Sequence, residues 1–248
     1  MWVGERLGTI ERACFRSILR QGHRLTLYCY EEPAGVPAGV ELADANGVIG
    51  ADRIFRHPNG SIAPFSDWFR LELQQRQLGT WLDSDIYLLR PVDTSRPVLF
   101  GEQAPGVLNN AVLRLPSGSP LLEALLAMFA SGAIPDWLPL RAKAAAWLRS
   151  LSDEKSTLAK LPWGTTGPHA LTAQARRFGL MREASPPDIF YPVQWKQAGW
   201  IRDPGRALED VITDRTVAVH LWNECIKGFK DNPAADGSFL QRLQREGA

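Results

Sequence analysis

Apolar residues in TIERACFRSILRQG (9–22) fall at Ile10, Cys14, Phe15, Ile18 and Leu19. That spacing predicts an amphipathic helix, with Gly22 placed to stop it. The WVG before it (2–4) reads as the end of a short strand. In HRLTLYCYE (23–31) Leu25, Leu27 and Cys29 alternate with Thr26 and Tyr28, the period of a strand. VPAGVELADANGVI (36–49) follows as turn, short strand and turn. The clearest helix is FSDWFRLELQQRQLG (65–79), with Ser66 as its expected N-cap, Asp67 at its positive end and Gly79 as terminator. TWL (80–82) and IYLLRP (86–91) read as extended segments enclosing Asp83-Ser84-Asp85. PVLFG and NAVLRLP give two further strands.

Downstream, PLLEALLAMFASG and LPLRAKAAAWLRSL predict a helical hairpin broken near Pro135. WGTTGPHALTAQARRFG reads as a glycine-rich loop entering a helix at Gly167-Pro168. DIFYPV and TVAVHLW are expected as late strands. The alternation predicts one α/β domain over residues 1–228, with a helical insertion at about 120–160. Residues 229–248 read as a polar tail expected to fray.

Composition narrows the function classes. Acids and bases nearly balance over 248 residues, at a formal net charge of +1, which gives no support for electrostatic capture of nucleic acid. Cys14, Cys29 and Cys225 match no zinc spacing, and their odd number argues against a disulfide framework. The first residues are not followed by a signal-peptide core, and no apolar run approaches the ~20 residues of a membrane span. The expectation is a cytoplasmic protein without a transmembrane segment, with peripheral membrane association left open. Nine tryptophans are roughly two to three times the usual share. They serve cores, and they offer flat faces to sugars and bases.

The candidate chemistry centres on Asp83 and Asp85. A turn can aim two such carboxylates at one hard divalent cation, which takes oxygen ligands and often substrate phosphates. With 14 aspartates in the chain, one Asp-x-Asp arises about once by chance, so context must carry the argument. Both flanks here are apolar and strand-like, and ligands of open α/β sheets sit beyond strand ends. Asp67 and Arg70 share a helix face. Read alone they are a surface ion pair; at the same rim, Asp67 accepts from hydroxyls and Arg70 forks onto vicinal oxygens. His220, after TVAV, reads either as a core histidine or as a metal or phosphate ligand. Asn109 and Asn110 fit turn capping or the reaction centre. Thr165, Thr166 and Gly167 fit an N-cap or an anion cradle. Trp163 and Trp195 are expected in the core more than on a sugar. A dehalogenase-like phosphatase also uses Asp-x-Asp, but Tyr87 stands where that chemistry wants Thr or Val.

WVG, FSDWFRLELQQRQLGTWLDSD, LNNAVLRLP, WGTTGPHALT and VAVHLWN, in this order, resemble the glycosyltransferases of the DXD-containing sugar-binding family. That group includes α-1,4-galactosyltransferases and bacterial capsule and lipopolysaccharide transferases, and is related to the catalytic domains of large glucosylating toxins. The resemblance covers residues 1–225 or so. The chain has Leu78-Gly79-Thr80-Trp81 where the family often reads Gly-Gly before its aromatic residue. The resemblance implies a GT-A-like fold with a mixed central sheet, a nucleotide-sugar donor (UDP-linked), a glycan or other hydroxyl acceptor, Mn²⁺ or Mg²⁺, and retention at the anomeric carbon. It implies that Trp2 stacks on the base, that Asp67 and Arg70 hold the donor sugar, and that Asp83 touches ribose and metal. Asp85 is implied as the direct metal ligand, and His220, with Trp222 and Asn223, as part of a segment closing over diphosphate or metal. Asn110 and Thr166 join the implied donor contacts. The competing expectation is an inactive nucleotide-sugar-binding relic of the same fold.

Overall fold

A computed structural model describes residues 1–150 and 158–248; the stretch 151–157, inside the expected helical insertion, lies outside the described residues. The fold is mixed α/β. Helix α1 (Thr9–Arg20) buries Ile10, Cys14, Phe15 and Ile18, as the periodicity requires. Strands β1 (Leu25–Cys29) and β2 (Val40–Asp44) pair in parallel, and Trp2 adds a bridge to Cys29. Helix α2 (Ala63–Gln75) starts earlier than the sequence suggests. Its N-cap is Ile62, with Pro64 in the first turn, and Ser66 lies inside the helix, where its hydroxyl accepts from Arg70. Proline's fixed φ suits a first turn, which sets the start there and frees Ser66 for the arginine.

The expected single central sheet is divided into small ones. Strand β3 (Trp81–Leu82) pairs antiparallel with β6 (Val107–Arg114), which also pairs with β5 (Leu99–Ala104). Strand β4 (Ile86–Leu88) pairs instead with β7 (Ala218–His220). The chain changes partner at Asp83-Ser84-Asp85. Asp83 N–H still donates to Ala111 O on the β6 side at 2.8 Å, whereas Asp85 O accepts from Leu221 N–H on the β7 side at 3.0 Å. A strand that leaves one sheet and enters another must break its ladder, and the acidic triplet fills the break.

Helices α3 (Pro120–Ser131) and α4 (Leu140–Ser150) form where the two helices of the hairpin were expected. A π-helical turn (Thr165–His169) leads into α5 (Ala170–Arg177). Asp188–Phe190, expected to begin a strand, is part of a short helix, α6 (Pro187–Phe190): Pro186 and Pro187 fix φ and remove N–H donors, favouring a helical start over a ladder. After α7 (Asn223–Ile226), the tail does not fray. It ends in α8 (Phe239–Glu246), capped by Ser238 and packed on α1 through buried Phe239, Leu240 and Leu243. Burial of side chains that size is worth ~1.5–3 kcal/mol each. Tyr87 O–H donates to Glu246 Oε2 at 2.8 Å, tying α8 to β4. The polar residues around Phe239, Leu240 and Leu243 lower the mean hydropathy without destroying the helical stripe. Among the described residues no helix is long and apolar enough to cross a membrane.

Candidate metal centre

The ladder break, the first turn of α2, the π-helical turn and the end of β7 all open onto one cleft of about 720 Å³. Asp83, Asp85 and His220 come together there, each offering a ligand atom within 4.8 Å of the others. Among the described residues no other group of three acidic, histidine or cysteine ligands does so. Asp85 is 5% exposed and reaches His220 Nε2 through Oδ2 at 3.2 Å; the same oxygen accepts from Asn223 N–H at 2.7 Å. Burial pushes the Asp85 carboxyl upward, but the facing imidazole and the Asn223 amide outweigh it and hold the group down to about 2. Asp83 Oδ1 accepts from Trp81 Nε1 at 2.6 Å and pairs with Arg70 at 3.1 Å.

The donor set fits a divalent cation. Two carboxylates and an imidazole span 4.8 Å or less, about the ~4–5 Å width of a coordination shell. His220 Nδ1 is buried with no hydrogen-bond partner among the described residues. An unsatisfied buried ring nitrogen is costly, and re-aiming one imidazole nitrogen at a cation while the other takes an acceptor would remove that cost. Trp222, at φ 59°, holds a left-handed conformation that is unfavourable for a bulky residue. Its Nε1 donates to Val193 O at 2.8 Å and its ring lies 4.1 Å from that of His220. The turn at Trp222 is what aims the Asn223 amide back at Asp85.

The Asp67 side is built differently. Asp67 Oδ1 accepts from Asn110 Nδ2 and Oδ2 from Thr166 O–H, both at 2.8 Å, and Arg70 lies 3.5 Å away. Burial raises the Asp67 carboxyl, against the lowering by Arg70, Asn110 and Thr166. Arg70, 4% exposed, donates to Asn110 O at 2.7 Å, pairs with Asp83 and stands over the Trp81 ring at 4.9 Å. The surface ion pair expected from spacing alone is therefore a buried one. Gly167 is packed against it: a Cβ there would lie 2.7 and 2.8 Å from the two Asp67 oxygens.

The sequence-derived residues Trp2, Asp67, Arg70, Asp83, Asp85, Asn110, Thr166, His220, Trp222 and Asn223 all line the cleft. Asn109 lines it too, with its amide tied to Gln103 at 2.7 Å. Trp163 and Trp195 are not core residues: they are 44% and 51% exposed at its edge. Trp163 directly follows Pro162, and Trp195 opens a 3-10 helix (Trp195–Arg202). Sequence reasoning missed Glu11 and Lys230. Glu11 is 1% exposed and paired with Lys230, which also donates to Asn223 Oδ1 at 2.7 Å, behind the Asp85 anchor. The only sequence signal was an acid among the apolar positions of α1. The chain matches no family model, no curated protein and no solved structure in the comparisons made.

Proposed function

We propose that the protein is a metal-dependent, retaining glycosyltransferase of GT-A-like fold, moving a hexose from a nucleotide sugar, UDP-linked, to a hydroxyl acceptor. One observation carries the reading: a three-ligand cation site and a buried, hydrogen-bonded Asp67–Arg70 pair share one cleft, bridged by the 3.1 Å contact of Arg70 with Asp83. The first suits a diphosphate and the second a polyhydroxy ring.

Asp83, Asp85 and His220 would hold the ion. The nitrogen donor favours Mn²⁺ over the more strictly oxygen-seeking Mg²⁺. Bound there, a divalent ion supplies neutralisation of charge on a departing diphosphate. The chain's own residues do the rest. Asp67 accepts from sugar hydroxyls, with Asn110 and Thr166 fixing its plane. Arg70, held by Ser66 O and Asn110 O, places its positive charge beside Asp67 and Asp83 before substrate arrives, so little reorganisation is left for the reaction. Trp2 offers its indole face to the base. Trp222 and Asn223 fix Asp85 and stand where the leaving group departs. Exposed Trp163 and Trp195 suit a carbohydrate acceptor.

The test is a screen of nucleotide sugars, without acceptor, for Mn²⁺-dependent release of nucleoside diphosphate. Release by the wild type and its loss in Asp85→Ala are expected. A folded wild type that binds nucleotide sugar but releases nothing, with or without glycan acceptors, is the inactive relic; one that binds no nucleotide removes the reading.

A further inference from the structure

Helix α4 is built inside out. Among its described side chains the one fully buried is small, Ala146, packed with Leu138 and Leu161. Its large apolar residues face outward: Leu140 is 82% exposed, Leu148 61% and Trp147 57%, with Ala144 exposed between them. At 100° per residue, 140, 144, 147 and 148 occupy one arc of about 100°. Arg141 borders that arc on one side and Lys143 on the other. From Trp137 to Ser150 the sequence has three basic residues and no acid; the nearest acids are Asp136 before it and Asp153 and Glu154 after it.

A soluble surface helix normally carries polar residues on the outward arc. An outward apolar arc with tryptophan in it, edged by long basic side chains, is the pattern of a helix lying in a membrane interface. We propose that α4 is a docking face for an anionic lipid bilayer, with Leu140, Trp147 and Leu148 entering the acyl boundary and Arg141 and Lys143 reaching the headgroups. The basic borders decide between occupants: a second copy would bring Arg141 and Lys143 against the same positive edge. The face does not depend on the glycosyl-transfer reading. Through Leu161, which packs with α4 and lines the cleft, docking would hold the cleft close to the bilayer.

The test is co-sedimentation of the full chain with vesicles of equimolar phosphatidylcholine and phosphatidylglycerol, and with phosphatidylcholine alone. Binding to the mixed vesicles is expected, weaker to the neutral ones and weakened by salt. L140E/L148E should lower the affinity for mixed vesicles about tenfold or more. R141E/K143E should remove the preference for the anionic vesicles. Circular dichroism checks the fold, and L140S/L148S replaces the glutamate pair if that pair is unfolded. Failure of the wild type to sediment with mixed vesicles, or equal sedimentation of the leucine variants, overturns the proposal. So does a concentration-dependent dimer that ignores vesicles and is dissolved by L140E/L148E, which assigns the face to a second copy.

Discussion

Asp67 and Asp85 are 7% and 5% exposed and lie in one cleft, and burial raises both carboxyls, yet their net shifts have opposite signs. Asp67 has a donor on each oxygen, in a network whose partners are all satisfied by the protein. Yet its carboxyl is raised, because burial outweighs two neutral donors and an arginine shared with Asp83. Asp85 has its contacts gathered on Oδ2, and its carboxyl is lowered, because an imidazole and an aimed backbone amide outweigh burial. Next to it one ring nitrogen of His220 has no partner among the described residues. One half is closed by protein donors; the other keeps an unpartnered ring nitrogen among ligands that could hold a cation.

The largest expected effect comes from breaking the open half. Asp85→Asn keeps the shape but removes the charge. Mn²⁺-dependent release of nucleoside diphosphate should fall about a thousandfold or more, while the thermal unfolding profile remains cooperative. Full activity in that variant would show that the open half does not await a cation. Breaking the closed half should do the opposite. Arg70→Ala leaves Asp67 and Asp83 without their shared cation, and a stability loss of about 3 kcal/mol is expected in urea unfolding. Calorimetry should show affinity for UDP-sugar falling more than affinity for UDP; equal losses would detach Arg70 from the sugar.

Gly167→Ala sharpens the contrast without touching charge. The added methyl would meet the Asp67 carboxylate at under 3 Å, so about 2 kcal/mol of stability should be lost to overpacking. Metal affinity, measured by Mn²⁺ titration, should stay as in the wild type. A fall in metal affinity as large as that of Asp85→Asn would mean the halves are mechanically one.

The two halves were legible in the sequence to different degrees. Spacing placed Asp67 with Arg70 on one face, and the apolar flanks placed Asp83 and Asp85 at strand ends, because both are local statements. It could not say that the ion pair is buried, since burial is supplied by Asn110 and Gly167, 43 and 100 positions away in sequence. For the same reason Glu11 and Lys230 went unseen: their pairing closes a loop of 219 residues. Helix α8 was missed for another reason. Its polar residues dominate the average, and only the docking surface on α1 turns Phe239, Leu240 and Leu243 into a stripe. The late strand expected at Asp188–Val193 opens as a helix instead, because Pro186 and Pro187 fix φ and remove two N–H donors.

Acid titration of stability separates the same two carboxylates. A group held at about 2 instead of 3.8 contributes about 2 kcal/mol, present above its ordinary value and lost as pH falls through about 2. Asp67, raised by burial, has the opposite slope: folding penalises its charged form, so its term worsens as pH rises from the ordinary value through the raised one. Urea midpoints taken from about pH 2 to about pH 6 should therefore show a smaller acid loss in Asp85→Asn than in the wild type. Asp67→Asn should remove the downward slope on the other side. Parallel curves for all three proteins would mean that neither carboxyl is displaced.

The smallest effect tests how the open half is held open. Asn223 contributes to Asp85 through its backbone amide, and its side chain takes a hydrogen bond from Lys230, which is paired with the deeply buried Glu11. The chain Glu11–Lys230–Asn223 thus runs from the core to the oxygen that would face a cation. Asn223→Ala leaves the amide and the Glu11–Lys230 pair in place and removes only the tether between them. Outer contacts of this kind are worth ~10–100-fold in metal affinity, and one tether among several anchors belongs at the low end. About a tenfold loss of Mn²⁺ affinity is expected, with a stability change within ~0.5 kcal/mol. Unchanged affinity would mean that the left-handed turn at Trp222 and the packing of its ring on His220 hold the Asn223 amide on Asp85 by themselves, and that the buried lysine serves only to neutralise Glu11.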